Sequence, residues 1–215
     1  MSGAPAPRPP NLPPRTNPGS LGIQKSVKTD LMDVQVDAKI VADGNGGDRP
    51  KTSFTHSHNR IRWPQYQADA HDKIVRLIGK VIWHDTITIQ TVYPAGARPD
   101  QLSGYGRGTT QDDIRNGDVT LGFHESRHRN DYVAYLKAHL LPDPPKPEIG
   151  MTVTEYEKAA ADFEEKLNAY YKDMDAESVA ATDEVGYRKS TYESTGNPSG
   201  TFCRAGSFGC VGGSH

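Results

Sequence analysis

The residues of this 215-residue chain best suited to chemistry lie at 124–128, which read His-Glu-Ser-Arg-His. On a helix, a spacing of four brings His124 and His128 to one face a turn apart, where two imidazoles can grip one tetrahedral zinc ion. Glu125 lies beside them and can take the proton of a water that such an ion acidifies. The pattern carries this meaning only on a helix. Leu121, Tyr132, Tyr135 and His139 share the histidines' face, which therefore points into the protein, while Arg127, Arg129, Asn130 and Lys137 stay in solvent. An inward-facing His-Glu pair without metal would be costly to desolvate.

The elements that must position these residues are two helices. The first is expected from an Asp118 N-cap to about Leu140, stopped by the prolines at 142, 144, 145 and 147. The second begins near Thr152 or Thr154, each followed at capping-box spacing by Glu155 or Glu157. Its stripe of Tyr156, Ala160, Phe163, Leu167, Tyr170, Met174, Ser178, Ala181 and Val185 suits packing along the first helix. Zinc needs a third protein ligand, and this helix carries Glu164, Asp175, Glu177 and Glu184 near the stripe, with Asp183 further round. The tyrosines 132, 135, 156, 170 and 171 read as core between the helices.

Upstream, residues 32–40 alternate apolar and polar as a half-buried strand does, and a turn follows at Asp43-Gly44-Asn45-Gly46-Gly47. Ser53 to Trp63 is a second candidate strand. From Gln65 to Ile82 the positions Ile74, Leu77, Ile78 and Val81 fall at helical spacing, which predicts an amphipathic helix. The β-branched run from Thr86 to Tyr93 predicts a strand, with Trp83-His84-Asp85 leading into it. Residues 95–117 are glycine-rich and read as a mobile loop with a short helical turn near Gln111 to Ile114. No strand leads into those glycines and no long helix opens after them, which argues against a nucleotide cradle.

Seven of the sixteen prolines fall between Pro5 and Pro18, so residues 1–22 read as a disordered tail or linker before one domain over 23–215. The tail lacks the apolar run of a signal peptide and no stretch is apolar enough to span a membrane, so the chain is expected to be soluble and any export to use another route. A net charge of −2 and a pI near 6.4 offer no field to attract nucleic acid. Cys203 and Cys210 could form a small disulfide loop or stay as thiols, and His56 and His58 read as exposed polar residues.

The HExxH on a helix, the carboxylate-rich helix after it and the upstream strand together resemble the zincin metallopeptidases over residues 86–190. The metzincin extension is absent, because residue 134 is Ala. Ala181-Thr182-Asp183-Glu184-Val185-Gly186-Tyr187 resembles the Gly-Thr-x-Asp-x-x-Tyr-Gly segment of the aspzincin branch, with alanine for the first glycine, glutamate for the ligand aspartate and Arg188 for the last glycine. That resemblance implies Glu184 as the third zinc ligand and Tyr187 as an oxyanion donor. It also implies an α+β fold in which a small antiparallel sheet packs on two long helices, with residues 86–93 as the edge strand that pairs with an extended peptide.

The layout as a whole is similar to metallopeptidase toxin domains delivered by bacterial type VI secretion. This likeness implies a carrier, an immunity protein and action on a protein or peptide in a neighbouring cell's periplasm. Two other functions fit the same residues: a zinc amidase acting on peptidoglycan, and a binding module whose zinc is structural and fully ligated by protein.

Overall fold

Met32, Val34, Val36, Ala38 and Ile40 are all buried while the residues between them face outward, the period-two pattern of a strand with one face on a core. In the computed structural model, which describes residues 18–57 and 61–195, this is strand β2, Met32–Ile40. It follows β1, Gly19–Lys28, to which it pairs antiparallel. Short β3 (Gly44–Asn45) and β4 (Lys51–Thr55) come next, then β5 (Gln65–Ala68), β6 (Ile74–Ile78) and the long β7, Val81–Tyr93. β7 alternates as β2 does, burying Val81, Trp83, Ile87 and Ile89.

The main sheet is five-stranded and mixed. β2 runs parallel to β7 in continuous register from Met32–Val81 to Ile40–Ile89, β3 also pairs β7 parallel, and β4 pairs β7 antiparallel. The α+β expectation holds, but the sheet is not antiparallel at its centre. The chain leaves β2 and makes β3, β4 and a separate hairpin before it returns as β7, and a parallel pair needs such a crossover.

That hairpin replaces the helix expected over Gln65 to Ile82. β5 and β6 pair antiparallel, and the strand-like reading wins because Asp69 caps a tight turn by accepting from the N–H groups of His71 and Lys73. Asp72 there adopts φ 62°, which ends any helix. Ile74 is fully buried while Val75 is exposed, and Gly79 at φ +85° turns the chain into β7. The hairpin is also tied to the start of the second long helix, through Ile74 N–H to Met151 O at 2.9 Å.

Among the described residues four α-helices follow: α1 (Gln111–Asn116), α2 (Leu121–Ala138), α3 (Val153–Ser178) and α4 (Lys189–Thr195). α2 is capped by Thr120, whose Oγ1 accepts from Phe123 N–H, and not by Asp118, whose N–H instead closes the end of α1 on Asp113 O. α3 has the expected capping box of Thr152 and Glu155. Tyr132, Tyr135 and Leu136 of α2 and Phe163, Leu167, Tyr170, Tyr171 and Met174 of α3 form one core with the inner faces of β2 and β7. Gly19 to Gly22, placed by sequence in the tail, belong to β1. The rest of that tail up to residue 17, His58, Cys203 and Cys210 lie outside the described residues.

Candidate metal centre

His124, Glu125 and His128 lie on the buried face of α2, and the helix is held to the sheet beneath them by a chain of hydroxyls. Arg129 donates to Thr91 Oγ1, Thr91 and Thr52 Oγ1 are 2.7 Å apart, and Thr52 donates to Glu125 O at 3.0 Å. β4 therefore runs directly beside the motif. Sequence placed a substrate strand at 86–93, but β7 is flanked by β2 and β3 on one side and β4 on the other. The edge strand beside the site is β4.

Asp183, not Glu184, is brought to the imidazoles. Its Oδ1 lies 2.9 Å from His128 Nε2 and 3.2 Å from His124 Nε2. Glu184 turns away to accept from Ser190 N–H and Oγ. Of the other candidates, Asp175 accepts from Tyr132 OH at 2.9 Å, and Glu164 and Glu177 are exposed. The cause is local: after α3 the chain widens into a π turn, Val179–Asp183. On a regular helix Ser178 and Asp183, five residues apart, would point about 140° from each other. The wider turn sets both against His128.

The ring nitrogens away from Asp183 are fixed by neighbours. His124 Nδ1 donates to Arg107 O at 3.0 Å, and His128 Nδ1 meets Ser178 Oγ at 2.8 Å. Ser178 and Thr182 in turn donate to Asp131 Oδ2, at 3.4 and 2.7 Å. Outer partners of this kind set the tautomer and aim of a metal-ligating histidine. His124 Nε2 is buried and, though 3.2 Å from Asp183 Oδ1, has no hydrogen-bond partner among the described residues.

Burial works to raise the Asp183 carboxyl, but His124, His128 and Lys189, whose Nζ is 2.7 Å from Oδ2, override it and hold it far below the usual carboxylate range. Burial likewise works to lower the His124 ring, yet the Asp183 and Glu125 carboxylates and Arg107 O leave it raised.

The site is roofed by the segment that sequence read as a mobile loop. Gly106 and Arg107 donate their N–H groups to Tyr187 O and Thr182 O at 2.6 and 2.7 Å, and Arg107 makes a bidentate pair with buried Asp113. Gly106 (φ +64°) must be glycine, because a Cβ there would stand 2.2 Å from Thr182 O and 2.9 Å from His124 Cε1. The same loop sets the Tyr105 ring edge-on to His124 at 5.1 Å. Tyr187, expected as the oxyanion donor, is tied by its backbone to Gly106 and Thr109, with its ring against Tyr192. Tyr105 could have been suspected only from its place in a loop before the motif.

Three ligand atoms, one each from His124, His128 and Asp183, lie within 4.8 Å of one another. Tetrahedral ligands about 2.0–2.2 Å from zinc stand about 3.3–3.5 Å apart, so separations of 2.9 and 3.2 Å need to open only slightly. The group can hold a metal ion. Protein-family models, curated proteins and solved structures give no match to this chain. Function must therefore be argued from the site alone. No helix among the described residues is long and apolar enough to cross a membrane.

Glu125 completes the set. It is buried beside the ligands, and its Oε2 has no hydrogen-bond partner among the described residues. A buried, unpaired carboxylate oxygen is destabilising unless something else is meant to occupy its lone pairs.

Proposed function

We propose that this chain is a zinc-dependent hydrolase that cleaves peptide bonds, with His124, His128 and Asp183 as ligands and Glu125 as general base. The observation that carries the reading is the unpaired Glu125 Oε2 next to three convergent ligand atoms. A purely structural zinc has no use for that oxygen. When bound, the ion supplies a Lewis acid that acidifies a water and polarises a carbonyl.

Glu125 accepts the proton of the attacking water at Oε2 and returns it to the leaving amine nitrogen. Arg107 O and Ser178 Oγ keep the two imidazoles aimed inward throughout. Tyr105, whose ring lies edge-on 5.1 Å from His124, is our candidate donor for the oxygen on which charge develops. Its hydroxyl makes no hydrogen bond among the described residues, and burial, with Asp183 and Glu125 nearby, pushes its pKa far enough up to keep it an O–H donor. The outer edge of β4, which pairs only with β7 among the described residues, suits an extended peptide laid beside α2.

Hydrolysis of a mixed peptide library, with mass-spectrometric readout, tests the proposal. Cleavage should require zinc and disappear in Glu125→Gln with zinc retained. A zinc-loaded chain that cleaves no peptide, or a Glu125→Gln variant that cleaves at the wild-type rate, overturns it.

A further inference from the structure

The centre is shut. His124, Glu125, His128 and Asp183 are 2, 3, 8 and 1 % exposed, so no peptide carbonyl reaches Glu125 Oε2 in this arrangement. Two elements stand over it, the 103–109 loop and α4. The loop is fastened by the backbone bonds of Gly106 and Arg107, by the Arg107–Asp113 pair and by the tight seat of Gly106.

α4 is held differently. It has seven residues, too few to form a stable helix alone, and none of its described side chains is buried or part of the core. It reaches the site through Lys189 on Asp183 Oδ2 and through Tyr192, whose ring lies 5.5 Å from Tyr105 and 3.3 Å from where a Gly104 Cβ would stand. Ser190 on Glu184 and the exposed Arg49–Glu193 pair tether it further. The Arg49–Glu193 and Ser190–Glu184 contacts are exposed and weak, and segments held by such contacts open first, so the Lys189 pair with the buried Asp183 carboxylate is the one strong tie.

We propose that α4 is a displaceable cover over the centre, swinging about exposed Arg188, and that substrate enters only when it lifts. The neighbouring Tyr187 is anchored through its backbone to Gly106 and Thr109, which places the hinge just after it. Lys189 leaves Asp183 when the cover opens, so one movement clears the entrance and frees the second carboxylate oxygen. The purpose assigned to the opening rests on the catalytic reading above, whereas the covering does not require a metal.

The test uses the full chain stripped of metal and measures carbethoxylation of each histidine by peptide mass spectrometry. Tyr192→Ser combined with Glu193→Arg should raise labelling of His124 and His128 about tenfold, equivalent to about 1.4 kcal/mol of easier opening. Adding Arg49→Glu, which rebuilds the ion pair with reversed charge, should recover part of the protection. His84, whose side chain is 57 % exposed, should label equally in every variant. Unchanged labelling of His124 and His128 overturns the cover. So does a rise matched by faster amide exchange at Val36 and Trp83 in the core, because the centre would then open only by global unfolding. A chain that binds no zinc would refute the catalytic reading and leave this labelling result to stand by itself.

Discussion

Asp183→Asn against Glu184→Gln is the substitution pair that most sharply separates the structure from what the sequence segment suggests. Asparagine keeps the shape of Asp183 but removes the charge that meets His124, His128 and Lys189. Structural zinc sites are worth roughly 10–16 kcal/mol over four ligands, so one ligand contributes about 3 kcal/mol, or about a hundredfold in affinity. Glu184 is bonded to Ser190 and not to the imidazoles. Competition with a chromophoric chelator at fixed pH should therefore show zinc affinity about a hundredfold weaker in Asp183→Asn and within about twofold of wild type in Glu184→Gln. The metal-free chain adds a check of sign. Because folding depresses the Asp183 carboxyl, the stability it contributes is complete above the ordinary carboxylate range and is lost as pH falls below it. Asp183→Asn should flatten that acid limb. Equal weakening in both variants, or weakening only in Glu184→Gln, would refute the ligand assignment.

Four further outcomes follow from the same geometry. Glu125→Gln should abolish turnover while elemental analysis finds wild-type zinc content; loss of the zinc together with the turnover contradicts its role as base. Gly106→Ala should cost more than about 2 kcal/mol by urea titration, whereas Gly96→Ala, with open space around its Cβ position at φ +86°, should cost only about 1 kcal/mol for the backbone. Ser178→Ala should weaken zinc binding about 10–100-fold while preserving the far-UV circular dichroism spectrum, as loss of an outer partner to His128 does. Asp33, bonded to His84 and Lys80, should titrate near pH 2 by carboxyl NMR, and a midpoint in the ordinary carboxylate range would deny those bonds in solution.

The parts of this molecule legible in sequence are those where one local signal acts alone. β2 appears at its predicted residues because strict alternation over nine positions has no competing explanation. The capping box of α3 and the inward placing of His124, His128, Tyr132 and Tyr135 on α2 are read for the same reason, whereas Arg129, expected in solvent, is buried against Thr91 and His139, expected inside, is exposed. The hairpin at 65–78 was missed because Ile74, Leu77 and Ile78 satisfy a helical period as well as a strand, and the Asp69 turn and pairing to residues 150–152 decide between them. The metal site divides along the same line. His124, Glu125 and His128 are contiguous and helical, whereas Asp183 reaches them only through a π turn that no periodicity announces. Tyr105 depends on a glycine loop pinned by contacts some eighty residues away in sequence.

Metal content decides the central claim most directly. Elemental analysis of the purified chain after exposure to zinc and exhaustive dialysis should find about one zinc per chain, falling to background in His124→Ala, His128→Ala and their combination. A wild-type chain without metal, or a double variant that retains as much zinc as wild type, would contradict the account.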